Sequence, residues 1–201
     1  MASALGTAIA LVGVVKDASG RIQTEPFLNV ARLLLPIIDK LGVTFYPVKQ
    51  DVSGNIERLG RRAREDAVRY ACLFEIVTTE VAAGKHEQSD SCAKGLLWLK
   101  RAMEFVLGLL RQLHDDDEKS MSQAANEAYA STLQPFHGMI TYGVFTAAMS
   151  WLPSREAFFS KLDAGADLKP SMKLFLDCMT PLVQEVHNFL VENDLNDKTP
   201  V

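Results

Sequence analysis

The sequence predicts an all-α fold of roughly seven to nine helices. Three observations carry this. Apolar residues recur at three- and four-residue steps along most of the chain. No run of alternating β-branched residues competes with them. Proline and glycine fall where helices start and stop.

The elements follow in order. Ala2 to Val15 is apolar, without a basic leader, and too short to cross a bilayer before Lys16 and Asp17 interrupt it. It reads as a first core helix, and the chain as a soluble one. Thr24-Glu25-Pro26 is a start signal. Phe27, Val30, Ala31, Leu34, Ile37, Ile38 and Leu41 then share a face up to Gly42, and Pro36 should kink that helix. From about Ala67 to Ala83, Val68, Ala71, Cys72, Phe74, Ile76 and Val81 fit another helix, stopped by Gly84. Gly95 to His114 is apolar over most of its circumference, so it is expected at the centre. Asp115 to Glu118 reads as a solvated acidic loop. Met121 to Leu133 and Phe136 to Leu152 give two helices with Pro135 at the junction. A short helix runs from Pro153 to Leu162, a loop follows around Gly165, and a last helix runs from Pro170 to about Val191.

Composition narrows the function. With 48 % hydrophobic and 23 % charged residues in 201, the chain reads as globular, with one domain or at most two small ones. A net charge of -4 gives no global field for nucleic acid. The cysteines Cys72, Cys92 and Cys178 form no CxxC, which argues against disulfide scaffolds and zinc and for a reducing cytosol. There is no GxSxG, no HExxH and no glycine-rich phosphate loop. The sequence therefore supports neither a nucleophilic enzyme nor a metal or nucleotide cofactor.

Three features are left with chemistry to explain. Asp51-Val52-Ser53-Gly54-Asn55-Ile56-Glu57-Arg58 reads locally as a turn. If it is helical instead, Asp51, Asn55 and Arg58 fall on one face. A carboxylate, an amide and a guanidinium together suit a ligand rich in hydroxyls. Trp98, in Leu96-Leu97-Trp98-Leu99-Lys100-Arg101, is either core or a flat plate for the apolar face of a sugar. His137, in Phe136-His137-Gly138-Met139, is either a satisfied core or surface histidine or a ring presented to a buried polar atom.

In this order and spacing, the DVSGN element with its following basic residue, the LLWLKRAMEF helix and the AYxxTLxxFHG segment resemble the glycolipid transfer protein family. The match runs from about Thr24 to Leu162. The resemblance implies a two-layer helical sandwich of about eight helices, formed by residues 1–201 as one domain. It implies a cytosolic carrier, peripheral at membranes and not an enzyme, that moves a glycosphingolipid from one membrane to another without a cofactor or metal. An adaptor that binds such a lipid and reports it to a protein partner would show the same features.

The resemblance also implies residue roles. Asp51, Asn55 and Arg58 bind the headgroup, and Trp98 stacks on the first sugar. His137 bonds the ceramide amide carbonyl, and Asp51 takes the amide N–H. The family usually has lysine at Arg58, and a larger forked cation bears on sugar preference. Relatives that carry phosphorylated ceramide have a basic residue at Trp98, so the indole favours the sugar-bearing class. Met139 stands where the family has a tryptophan associated with bilayer docking, and is expected to touch membrane less specifically. Phe105, Phe145 and Met149 are expected to line the apolar tunnel. Asp197 stands where some relatives place a tyrosine near the site, so the resemblance carries over no contact from the tail.

Overall fold

The computed structural model describes residues 4–162 and 168–200. Among them are ten α-helices: α1 (Ala4–Val12), α2 (Thr24–Arg32), α3 (Leu34–Asp39), α4 (Tyr46–Glu65), α5 (Leu73–Ala82), α6 (Cys92–Asp115), α7 (Met121–Thr132), α8 (Met139–Met149), α9 (Arg155–Leu162) and α10 (Leu168–Glu192). Single 3₁₀ turns at Val43–Phe45 and Gln134–Phe136 lead into α4 and α8. No described helix is long and apolar enough to cross a membrane.

Helix α6 is the hub. It packs against α4, α7 and α10, and contacts continue from α4 to α2, from α2 to α1 and from α1 to α10. That circuit encloses the core, and α7 carries α8 on the other side. Gly108 of α6 permits the approach of α7, because a side chain there would meet the Ala128 Cβ at 3.4 Å. The ends of α6 are held in kind. Ser91 Oγ accepts from Lys94 N at 3.2 Å, and the Glu80 carboxylate accepts from Cys92 N and Ala93 N at 2.9 Å each. An anion thus meets the positive end of the helix. At the other end the Arg155 guanidinium donates to the Leu113 carbonyl at 2.6 Å and the Lys119 carbonyl at 3.0 Å. Asp117 of the acidic loop pairs with Arg155 and Lys169.

The structure corrects three sequence expectations. The helix expected to kink at Pro36 instead breaks at Leu33, giving α2 and α3. Proline has no N–H, and its ring crowds the carbonyl four residues back, so the ladder ends one turn early. Leu33 N donates to Val30 O at 3.1 Å, three residues back and not four. The helix expected from Ala67 begins at Leu73, and Val68 is exposed. The backbone before it is taken up elsewhere: Thr24 N donates to Ala71 O at 2.8 Å, Leu73 N to Ile22 O at 2.9 Å, and Thr24 Oγ1 to Tyr70 O at 2.6 Å. The helix expected from Phe136 begins at Met139, because Pro135 confines 134–136 to a 3₁₀ turn. The break at Leu33 adds one helix to those expected. The expected loop around Gly165 lies outside the described residues.

Candidate functional site

Helix α4 runs straight through Ser53-Gly54-Asn55. Gly54 has no left-handed backbone and nothing packed over it, so no turn requires it. Its cost in a helix is about 1 kcal/mol. The buried stripe Val52, Ile56, Leu59 and Ala63 offsets that several times over. The helix therefore sets Asp51, Asn55 and Arg58 on one face. Asn55 is buried, and its Nδ2 donates to Asp51 Oδ2 at 3.2 Å. Asp51 stands at the rim of a cavity and remains accessible to solvent. Protein crowding around its carboxyl raises its pKa, against the pull of the Asn55 hydrogen bond and the Arg58 charge. Arg58 does not aim its tip at Asp51; its Nη1 donates to the Ser91 carbonyl at 3.1 Å. Gly95 of α6 makes room for this pair, since a side chain there would come within 3.1 Å of Arg58 Cδ and 3.6 Å of Asn55 Oδ1.

Trp98 lies on the same face of α6, half-buried, and lines the cavity. His137 follows the second 3₁₀ turn in extended backbone, and its ring sits 6.0 Å from that of Trp98 with 23° between the planes. Residues far apart in sequence thus meet: Asp51 and Asn55 from α4, Trp98 from α6 and His137 from the entry to α8. Tyr129, unremarked as a functional residue in the sequence, completes the set. Its hydroxyl is 3.0 Å from His137 Nδ1. Burial pushes the Tyr129 pKa up to about 12, so it keeps its proton. Burial and the nearby Arg101 charge lower the His137 pKa, so the imidazole is neutral at pH 7. If the Tyr129 hydroxyl donates to Nδ1, the neutral ring carries its proton on Nε2 and has one N–H to offer. Its signal in the sequence was the AYxxTLxxFHG spacing itself.

The cavity has a volume of about 360 Å³. Its wall passes from Asp51, Trp98 and His137 to the apolar Val48, Ala102, Leu133, Val144, Phe145 and Ala148. Phe145 is stacked on Tyr129 at 4.4 Å and meets Phe105 and Phe45 edge-on at 5.3 and 5.6 Å. Of the three residues expected along an apolar tunnel, Phe145 is on this wall. Phe105 stands behind it, and Met149 is buried without lining it.

Helix α8 closes one side of the cavity and turns apolar side chains outward. Met139 is 91 % exposed, Ile140 84 % and Trp151, just past its end, 76 %. Val43 and Tyr46, also exposed, belong to the same surface. The link is direct: Thr44 Oγ1 donates to the Ala148 carbonyl at 3.3 Å. Farther along α4, Arg62 pairs with Glu65 and Arg64 with Glu57, at 2.6 Å for the latter.

An all-helical domain with an apolar cavity, a polar patch at its mouth and an apolar outer wall has the form of a carrier domain for an amphipathic lipid. The family model for glycolipid transfer protein matches residues 22–164, and the chain belongs to that family of lipid transfer proteins. It is 33 % identical to glycolipid transfer protein 1 of Arabidopsis thaliana over 183 residues, 91 % of each chain. It is 35 % identical over 161 residues to human pleckstrin homology domain-containing family A member 8, covering 80 % of this chain and 30 % of that one. A structure showing how FAPP2 selects simple glycosphingolipids with this fold superposes at a TM-score of 0.90 and 28 % identity, over 99 % of this chain and 100 % of that one. Human ceramide-1-phosphate transfer protein in complex with 12:0 ceramide-1-phosphate shares the fold alone, at a TM-score of 0.87 and 18 % identity, over 98 % and 100 %. The two-layer helical sandwich is therefore the arrangement here.

Proposed function

We propose that this protein carries a glycosphingolipid between membranes, with the sugar on Trp98 and the ceramide chains in the cavity. One observation supports this above others: hydrogen-bonding groups from α4 and the entry to α8, with an indole from α6, converge at an apolar space whose outer wall is itself apolar outside. On this reading Asp51 accepts from the ceramide amide N–H and, with Asn55, from sugar hydroxyls. His137 Nε2–H donates to the amide carbonyl, and Tyr129 holds the ring in that tautomer. Arg58 braces the α4–α6 pairing through Ser91 and offers its remaining N–H groups to the headgroup.

The physics asks for such a site. Each methylene brought from water into apolar surroundings gains about 0.8 kcal/mol, so two chains of roughly fifteen carbons face a barrier of tens of kcal/mol to leaving a bilayer. A carrier lowers it by giving the chains an equivalent surrounding. The end states are nearly equal in energy, so transfer needs no ATP. Helix α8 touches the rest of the protein chiefly through α7 and the turn before α4. It is the wall that gives way as the chains enter. Selectivity resides at the mouth: a lipid that leaves Asp51 or Asn55 unbonded loses about 1–3 kcal/mol per group. An indole offers no charge to a phosphate, which supports sugar over phosphate at this position.

Transfer is tested between labelled vesicles with a panel of galactosyl-, glucosyl-, lactosyl- and phosphorylated ceramides. Net movement of the glycosylated members, and little of the phosphorylated one, is the expected result. Binding without net transfer would identify a sensor instead.

The apolar outer face predicts how the protein meets the bilayer from the cytosolic side. Met139 gives that face a flexible thioether, while Trp151 supplies the indole that interfaces favour. Trp151→Ala should lower sedimentation with phosphatidylcholine vesicles several-fold, and Met139→Trp should raise it. Equal sedimentation of both variants and parent would place the contact surface elsewhere.

A further inference from the structure

Arg101 is only 1 % exposed, yet it lacks the partners that a buried cation usually gathers. Its guanidinium carbon lies 4.8 Å from the centre of the Trp98 ring and 3.5 Å from that of Phe136. Its Nη2 donates to the backbone carbonyl of Asp197, and its Nε meets no acceptor. Burial lowers its pKa to about 10, which leaves it charged at neutral pH. Trp98 lines the cavity and Arg101 does not. The cation therefore stands behind the indole, against the ring that precedes His137, and is anchored by the chain's last residues.

We propose that Arg101 is a positioning residue for headgroup recognition: held by the Asp197 carbonyl, it backs Trp98 and Phe136 and makes sugar binding depend on the C-terminal segment. This rests on the reading of Trp98 as the sugar plate. Trp98 belongs to α6, while Phe136 and His137 belong to the connection between α7 and α8. A flat cation between the two rings fixes their separation through cation–π contact with both. A half-buried indole that is already fixed loses less freedom when a sugar stacks on it, so preorganisation appears as affinity. The Asp197 bond fixes the cation in turn. The segment after α10 thus acts on the site through its backbone carbonyl and through the Asp197 charge, which favours the charged Arg101, while that carboxylate accepts from Thr199 N at 2.8 Å.

The test uses the full chain with Arg101→Met, Arg101→Lys and Trp98→Ala. Binding is measured for galactosylceramide and for ceramide of the same acyl chain, both presented in phosphatidylcholine vesicles. Two further readouts are acrylamide quenching of Trp98 in a Trp151→Phe background and amide hydrogen exchange across 193–200. Arg101→Met should weaken galactosylceramide binding about tenfold and leave ceramide within about twofold. Trp98 should become easier to quench, and exchange across 193–200 should accelerate. Arg101→Lys keeps a cation on the rings without the fork, and should give a smaller loss that is still confined to the glycosylated lipid. It decides the matter if the methionine variant does not fold. An equal loss for both lipids would show a merely structural role and overturn the proposal. So would unchanged galactosylceramide binding and unchanged quenching. Trp98→Ala separates the two levels. If it keeps the preference for sugar, the plate itself is wrong; if it loses that preference while the Arg101 variants keep it, only the present proposal fails.

Discussion

Asp51→Val is expected to reduce galactosylceramide transfer by at least about a hundredfold while the helical circular dichroism stays. Two charge-assisted hydrogen bonds disappear, one to the amide N–H and one to a sugar hydroxyl. At about 1.5–3 kcal/mol each, their loss exceeds two decades in affinity. The scaffold does not rely on this carboxylate, since among the described residues it accepts a hydrogen bond only from Asn55. It works against the fold. The Asp51 pKa is raised in the folded protein, so the ionised form is disfavoured there at any pH above its folded pKa. That penalty disappears as the pH falls through the folded pKa and the group takes up a proton. Asp51→Asn should accordingly raise Tm at pH 7 and leave it unchanged at a pH where Asp51 is already protonated. Function reads with the opposite sign. Headgroup binding needs the ionised acid, so affinity should drop on acidification at a higher pH than an ordinary aspartate would give. A lower Tm for Asp51→Asn at neutral pH, or a binding midpoint below the usual carboxylate range, would contradict this.

Trp98→Ala should lower galactosylceramide binding about tenfold, the equivalent of about 1–2 kcal/mol of lost ring contact. The loss should disappear for ceramide without a sugar. The measurement is a paired titration with the two lipids. Since Trp98 also rests on the buried Arg101, the variant exposes that cation to the cavity and should narrow the gap between glycosylated and phosphorylated ceramide. Parent-like affinity for galactosylceramide would remove the indole from the site.

These two residues were legible because each sits in a motif whose spacing survives into the structure. The local reading of Ser53-Gly54-Asn55 as a turn failed for a general reason. Turn propensity is a weak local term, whereas Val52, Ile56, Leu59 and Ala63 each bury a side chain in the core. That stripe was present in the sequence and outweighs one glycine. Lys100 and Arg101 were opaque. Two successive cations suggest solvent, but α6 is surrounded by α4, α7 and α10 and leaves them none. Lys100 Nζ has one partner on its own helix, Glu104 at 3.0 Å, but its other partner and that of Arg101 come from far along the chain: His187 Nδ1 at 3.1 Å and the Asp197 carbonyl. No periodicity in α6 reports what α10 and the tail bring to it. Tyr129 lay between these cases, inside a recognised segment but with a role defined by a contact eight residues on. Trp151 went unread for lack of any pattern around it, and only its exposure beside Val43 and α8 marks it.

The most direct measurement is a crystal structure of the full chain with galactosylceramide. The expected result is a hexose flat against Trp98, the amide between Asp51 and His137, and acyl density running past Val144 and Phe145 with α8 displaced outward. A lipid bound elsewhere on the surface, with the space beside Phe145 still closed and the indole bare, would contradict it.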